Sequence, residues 1–282
     1  MATEQGPTAT EFVVHHLTNL NQTGSAQQDI VDWSLINLDS LFWSFGLGLL
    51  TIYLLYRAAR NATSGVPGRF QGFMEMLVEM VQDQAKDIIH NTESRKYVAP
   101  MALTVFIWVF FLNFMDLIPV DLIPRLWEGG LVAAGVDPGG AYMRVVPTAD
   151  LNVPLGLAIG VLMLCIYYGI KTKGFGGWCK EFVSTPFGGH PVLWPANIVM
   201  QILEYFAKTV SHGMRLFGNL FAGELLFVLI ALLGGTATVF GFFAHLVAGS
   251  AWAIFHVLII TLQAFIFMML ALVYIGQAHD SH

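Results

Sequence analysis

WPANIVMQILEYFAKTVSHGMRLFGNLFAGELLFVLIALL, residues 194–233, is a long apolar run with no strong helix breaker past Pro195. At 1.5 Å per residue it would make roughly 60 Å of helix, about twice the ~30 Å hydrocarbon core of a bilayer. A second run of similar length, Val239–Gln277, follows Gly234, Gly235 and Thr236. Each run either breaks into two spans or is one long, strongly tilted helix. Only isolated glycines interrupt them, so the pattern predicts two long tilted helices forming a C-terminal hairpin over 190–277.

Outward from this hairpin the rest of the chain is equally apolar. Its 282 residues are 56% hydrophobic and 11% charged, with a mean hydropathy of +0.65. A soluble domain carries roughly 25% charged residues, so too little charge is present to coat a soluble surface. This composition excludes a soluble enzyme, a disordered chain and a nucleic-acid binder. The net charge of −6 is spread without an acidic block and says little about partners. Further spans are expected at 40–58, where Arg57 and Arg60 end the run, and over 98–171, which holds a second span, an outer loop and a third span ended by Lys171 and Lys173. Residues 68–90 place Phe70, Phe73, Met74, Leu77, Val81 and Ile88 at helical spacing against Glu75, Glu79, Gln82, Asp83 and Lys86. That is an amphipathic helix for a membrane surface or a partner, not a span. The expected fold class is all-α: a single polytopic membrane domain with about five embedded helices and one surface helix.

Lys and Arg cluster at 57–96 and 171–180, whereas 121–150 holds only Arg125 and Arg144. Cytoplasmic loops collect positive charge. The 1–39 segment is therefore expected outside, both basic regions inside, and the C-terminus in the cytoplasm. Residues 1–37 lack Lys and Arg and so lack the basic start of a secretory signal. Cys165 in an apolar run and Cys179 in an expected loop form no metal or disulfide framework.

The few polar residues inside the apolar runs are ordered. Glu204, Lys208, Ser211, Arg215 and Asn219 are spaced by 4, 3, 4 and 4, which makes one helix face. Glu224 lies nine residues after Arg215, on the opposite face. In the last run His245, His256 and Gln263 return to one face at separations of 11 and 7, and Tyr274 continues it. A charge at the bilayer centre costs about 2.5–3.5 kcal/mol, so each such residue carries a functional expectation. Competing structural readings are an ordinary helix pair for Glu204 and Lys208, a satisfied helix-end imidazole for His245, and interhelical hydrogen bonding for Asn219 and Gln263. Arginine does not release its proton, so Arg215 is a fixed cation, while Glu224 and His256 can titrate. Asp116 and Asp121 lie in MDLIPVDLIP, where Pro119 and Pro124 interrupt the helix. Both mark the outer interface or, for the deeper Asp116, line an aqueous vestibule.

These residues carry a resemblance. SHGMRLFGNLFAGELLFVLIALL (211–233) resembles the RLFGN…AGE segment of subunit a of bacterial F-type ATP synthase, and WAIFHVLIITLQAFIFMMLALVYI (252–275) resembles that family's last helix. WVFFLNFMDLIPVDLIP (108–124), RVVPTADLNVPLGLA (144–158) and HHLTNL (15–20) support it. The resemblance implies that Arg215 faces the rotating ring of subunit c. It also implies that Asn219, Glu224, His256, Gln263 and Asp116 follow the ion path, with Glu204 and Ser211 on the inner half-channel. A glutamate common in the family fourteen residues before the arginine is Gln201 here, and the proline often found after the lysine is Thr209. Implied partners are the subunit c ring, the subunit b stalk, other ATP synthase subunits, lipid and transported protons, in the bacterial inner membrane. No cofactor, metal or catalytic site of its own is implied.

Three rival functions remain at the level of sequence. A proton-coupled secondary transporter would use similar buried charges, often within inverted repeats, and no repeat relates the two halves here. An intramembrane metalloenzyme is prompted by nine His, among them His15, His16, His279 and His282, but no HExxH motif appears. A structural anchor would have no use for Arg215.

Overall fold

In the computed structural model, residues 20–22, 35–119, 122–135, 143–235 and 238–279 are described. Asp121, most of HHLTNL, His15, His16 and His282 lie outside them. The described residues form seven α-helices: α1 (Leu38–Arg60), α2 (Arg69–Ile88), α3 (Thr92–Phe114), α4 (Leu122–Ala133), α5 (Asn152–Ser184), α6 (Trp194–Gly234) and α7 (Val239–His279). Among the described residues, the one β-pairing is an isolated bridge, Asn21 with Asn37. Five segments are long and apolar enough to cross a membrane: Leu38–Arg60, Thr92–Leu117, Asn152–Ser184, Pro191–Gly234 and Val239–His279.

Many large apolar side chains are exposed, while several polar ones are buried in a mostly apolar core. On α7, Phe240, Phe243 and Ile254 are exposed, while His256 and Gln263 are buried. Water would drive the opposite arrangement; a lipid environment tolerates this one, because buried polar groups can satisfy each other.

Two compact units divide the chain. The first comprises Met1–Leu49, Phe110–Val153 and Phe217–Leu262; the second comprises Leu50–Val109, Pro154–Leu216 and Gln263–His282. In the first unit α6 and α7 run antiparallel. Gly234 meets His245, Ile230 meets Gly249, and Phe227 packs on Trp252 and His256. In the second unit the antiparallel pairing brings His212 to Phe267 and Lys208 to Gln277. The helix α2 packs in this second unit through Met74, Val81 and Ala85, and Ile88 reaches Gly276. Phe70, Phe73 and Met76 of α2 remain exposed. The amphipathic stretch thus buries one edge against its own chain.

The expected end of the third span coincides with a break in α5. Gly174 takes a non-helical backbone (φ 72, ψ 160), so a first helix ends at Lys173 and a second runs on to Ser184. Only glycine takes that backbone without strain. Lys171 lies over the rings of Tyr97, Tyr167 and Tyr168 at 5.7–5.8 Å, and Lys173 pairs with Glu181 of the second helix at 2.6 Å. Two features differ from the expectation. Cys179 lies on that second helix, not in a loop. The other difference is α4, which forms despite Pro124. That proline stands in the first helical turn, where its missing N–H has no intrahelical acceptor to lose.

Candidate functional site

In the first unit the candidate side chains gather around Glu224 of α6. Arg144 precedes the 3₁₀ turn Pro147–Ala149 and reaches Glu224 with two nitrogens. Its Nε donates to Oε1 at 3.1 Å, and Nη2 bonds Oε2. Each side chain of the pair is only 6% exposed. Burial opposes the Arg144 charge. The Glu224 carboxylate, with Asp150 and Asp39 farther off, outweighs burial and holds the guanidinium above its ordinary pKa. A two-point, charge-assisted pair of this kind is among the stronger polar contacts a protein makes. Arg144 is anchored in turn: its backbone N–H donates to Asp39 at 3.2 Å, and Asp39 also accepts from Leu20 and Ser40. Asn37 donates to Asp150 at 2.9 Å, tying the start of α1 to the loop.

Asp116 and His256 form the second pair. Asp116 sits in the 3₁₀ turn Met115–Leu117 that closes α3. His256 Nε2 lies 2.6 Å from Asp116 Oδ2, and the imidazole is fully buried. The contact is close without being aligned as a straight N–H···O bond, and Nδ1 of the ring has no partner among the described residues. Gly223 makes room for this pair: a Cβ there would stand 2.3 Å from His256 Cε1 and 3.2 Å from Asp116 Oδ2. Asn113 is fully buried with both amide atoms unpartnered among the described residues, as is the Thr148 hydroxyl. Buried polar atoms without protein partners are ordinarily met by water.

The second unit holds the other half of the polar set. Glu204 and Lys208 pair at 2.6 Å across one turn of α6, Lys208 donates to Gln277 at 2.9 Å, and its ammonium lies over Tyr274. A cavity of about 410 Å³ opens beside them, lined by Gln201, Glu204, Lys208, His212, Tyr274 and Gln277 among others. Ser211 and Arg215 are exposed, and among the described residues no carboxylate pairs with Arg215.

The predicted residues therefore separate by face. Ser211, Arg215 and Asn219 lie on the outward stripe, with Glu204 half-exposed at its start. Glu224, nine residues on, is buried on the other side as the spacing requires. Asp116, Glu224 and His256 come together in the first unit, while Gln263 is buried in the second. Asp116 is buried against His256. His245 is a satisfied helix-end imidazole, its Nδ1 2.7 Å from the Ile230 carbonyl. Sequence reasoning missed Arg144, Asp39, Gly223 and His212. Arg144 was counted only as a loop cation, although RVVPTADLN already put it in a motif. His212 stands four residues after Lys208, at the edge of the stripe.

The family model described as ATP synthase A chain matches residues 41–276. This chain belongs to that family. It is similar to "ATP synthase subunit a" of Paracidovorax citrulli (strain AAC00-1), 57% identical with all of both chains covered. It is equally similar, at 57%, to the protein of that name from Acidovorax sp. (strain JS42), with all of this chain and 99% of the relative covered. The protein of that name from Verminephrobacter eiseniae (strain EF01-2) is 52% identical over the same shares. Members of the ATP synthase A chain family thus align with this chain through both clusters, from Asp116 to Gln263.

Proposed function

We propose that this chain is the stationary half of the ATP synthase proton path, delivering protons to and removing them from the carboxylates of a rotating subunit c ring. Its family supports a proton-translocating component of the ATP synthase membrane sector. One observation carries the finer reading: Arg215 is exposed in the middle of an apolar helix, without a carboxylate from the described part of its own chain. A bare guanidinium in lipid is costly. A partner that presents carboxylates to this face removes the cost.

In the orientation given by the basic loops, the N-terminus is outside and five spans leave the C-terminus in the cytoplasm. The Asp116, His256 and Glu224 cluster then faces the outer side, and the Glu204 and Lys208 cavity faces the cytoplasm. Helices of about 60 Å in a ~30 Å core must tilt steeply, which lays the stripe of α6 along a ring. Protons enter past Asp116 and His256, with Glu224 held beside them by Arg144. Asn219 and Gln263, as amides, orient water toward the ring. The protonated ring carboxyl travels through lipid and returns toward Arg215. At an effective dielectric of about 20 a pair 4 Å apart interacts by about 4 kcal/mol. That is about three pKa units at 1.36 kcal/mol each, before desolvation: enough to drive release, and weak enough for rotation to break. The proton leaves past Ser211 and Glu204.

The test is coupled ATP synthesis in the assembled complex. Arg215→Ala abolishes it, and His256→Ala slows proton flux by about tenfold or more with assembly retained. Full coupled synthesis in Arg215→Ala overturns the reading.

A further inference from the structure

His212 stands one helical turn before Arg215 and has no role in the path as described so far. Its side chain is 2% exposed. The ring stacks on Phe267 with centroids 3.9 Å apart and meets Tyr274 edge-on at 5.7 Å, so two aromatic rings of α7 fix its orientation. Nε2 is buried and has no partner among the described residues. A buried nitrogen left without a partner is destabilising, so an indifferent core position would not retain it. The same imidazole lines the cavity of about 410 Å³, far above the ~10–15 Å³ one water needs. Polar groups to hold water stand around it: Gln201, Glu204, Lys208 and Gln277.

We propose that His212 is a proton-transfer residue of the exit path, taking the proton released opposite Arg215 through cavity water and returning it to water at the Glu204 end. The inference rests on the ring-facing reading of Arg215 and deepens it. Arg215 cannot accept a proton, because it never gives one up. A neutral imidazole can bind one at one nitrogen and release it from the other. The ionisable groups around the cavity are Glu204, Tyr205 and Lys208 on α6, Cys165, Lys173 and Glu181 on α5, and Tyr274 on α7, with Arg215 one turn away. Lys208 with Glu204 and Lys173 with Glu181 are already paired. Among these groups the imidazole is the one neutral nitrogen base that is not already held in an ion pair.

The experiment uses the whole complex in vesicles with the pH of each side set separately. His212→Gln keeps an amide in the cavity but cannot carry a proton. It is expected to lower coupled flux by about tenfold or more and to change how that flux depends on cytoplasmic-side pH. Dependence on outer-side pH stays as it was. His212→Ala is expected to regain flux when imidazole is added on the cytoplasmic side. Wild-type rate and pH profile in His212→Gln overturn the proposal. So does an equal loss in Gln, Ala and Phe variants that imidazole does not relieve, which marks a packing role. If His212→Ala does not assemble, the Gln variant decides alone. Retained coupling in Arg215→Ala is a separate failure, of the ring-facing reading.

Discussion

At the scale of single residues, buried charges are met in close pairs. Arg144 and Glu224 neutralise one another in a buried two-point contact. Removing one partner of such a pair leaves an uncompensated charge, at about 3–5 kcal/mol, whereas replacing both is often near neutral. We therefore expect Arg144→Gln and Glu224→Gln each to lower the thermal midpoint of the purified complex and its proton flux. The Arg144→Gln/Glu224→Gln double variant recovers most of both. A double variant as poor as the worse single one would make Glu224 a proton carrier instead of a counter-ion. The sequence located Glu224 by its distance from Arg215 but not its partner. Nothing in helical spacing ties a loop arginine at 144 to a helix glutamate at 224.

At the scale of the helices, close approach decides where chemistry occurs. Gly223 is the position on α6 at which His256 of α7 and Asp116 beside α3 come within contact of the backbone. Gly223→Ala puts a methyl group into the imidazole and forces it off Asp116. Overpacking of this kind costs about 1–3 kcal/mol. The expected outcome is an assembled complex with flux reduced toward that of His256→Ala; wild-type flux would show that the Asp116–His256 contact is dispensable. Lys171 and Lys173 read as the end of a span, and the helix breaks directly after them at Gly174, with aromatic rings beside Lys171 and the carboxylate of Glu181 beside Lys173. The same scale explains a boundary that sequence misjudged. Pro124 read as a breaker, but its place in the first turn of α4 makes it harmless.

For the whole molecule, the prediction is one of topology. With Cys165 and Cys179 replaced, a single cysteine at Ser64, between α1 and α2, is expected to react with a membrane-impermeant maleimide only from the cytoplasmic side. One at Glu128 in α4 is expected to react only from outside. Labelling of both from the same side would invert or break the proposed path.

The sequence by itself determined that this chain lives in lipid, that its last two runs are single long helices, and that Arg215 and Glu224 stand on opposite faces. Those properties follow from local periodicity and from the ratio of helix rise to bilayer thickness. The family was also legible, because RLFGN…AGE and FHVLIITLQAFIF are contiguous. Only the tertiary structure decided which polar residues come together. The Asp116–His256 contact and the Arg144–Glu224 pair join residues 80 or more positions apart, and the cavity around His212 is lined by α5, α6 and α7. In an interior of low dielectric a charge is governed by the group it touches, and that group is set by how the helices pack.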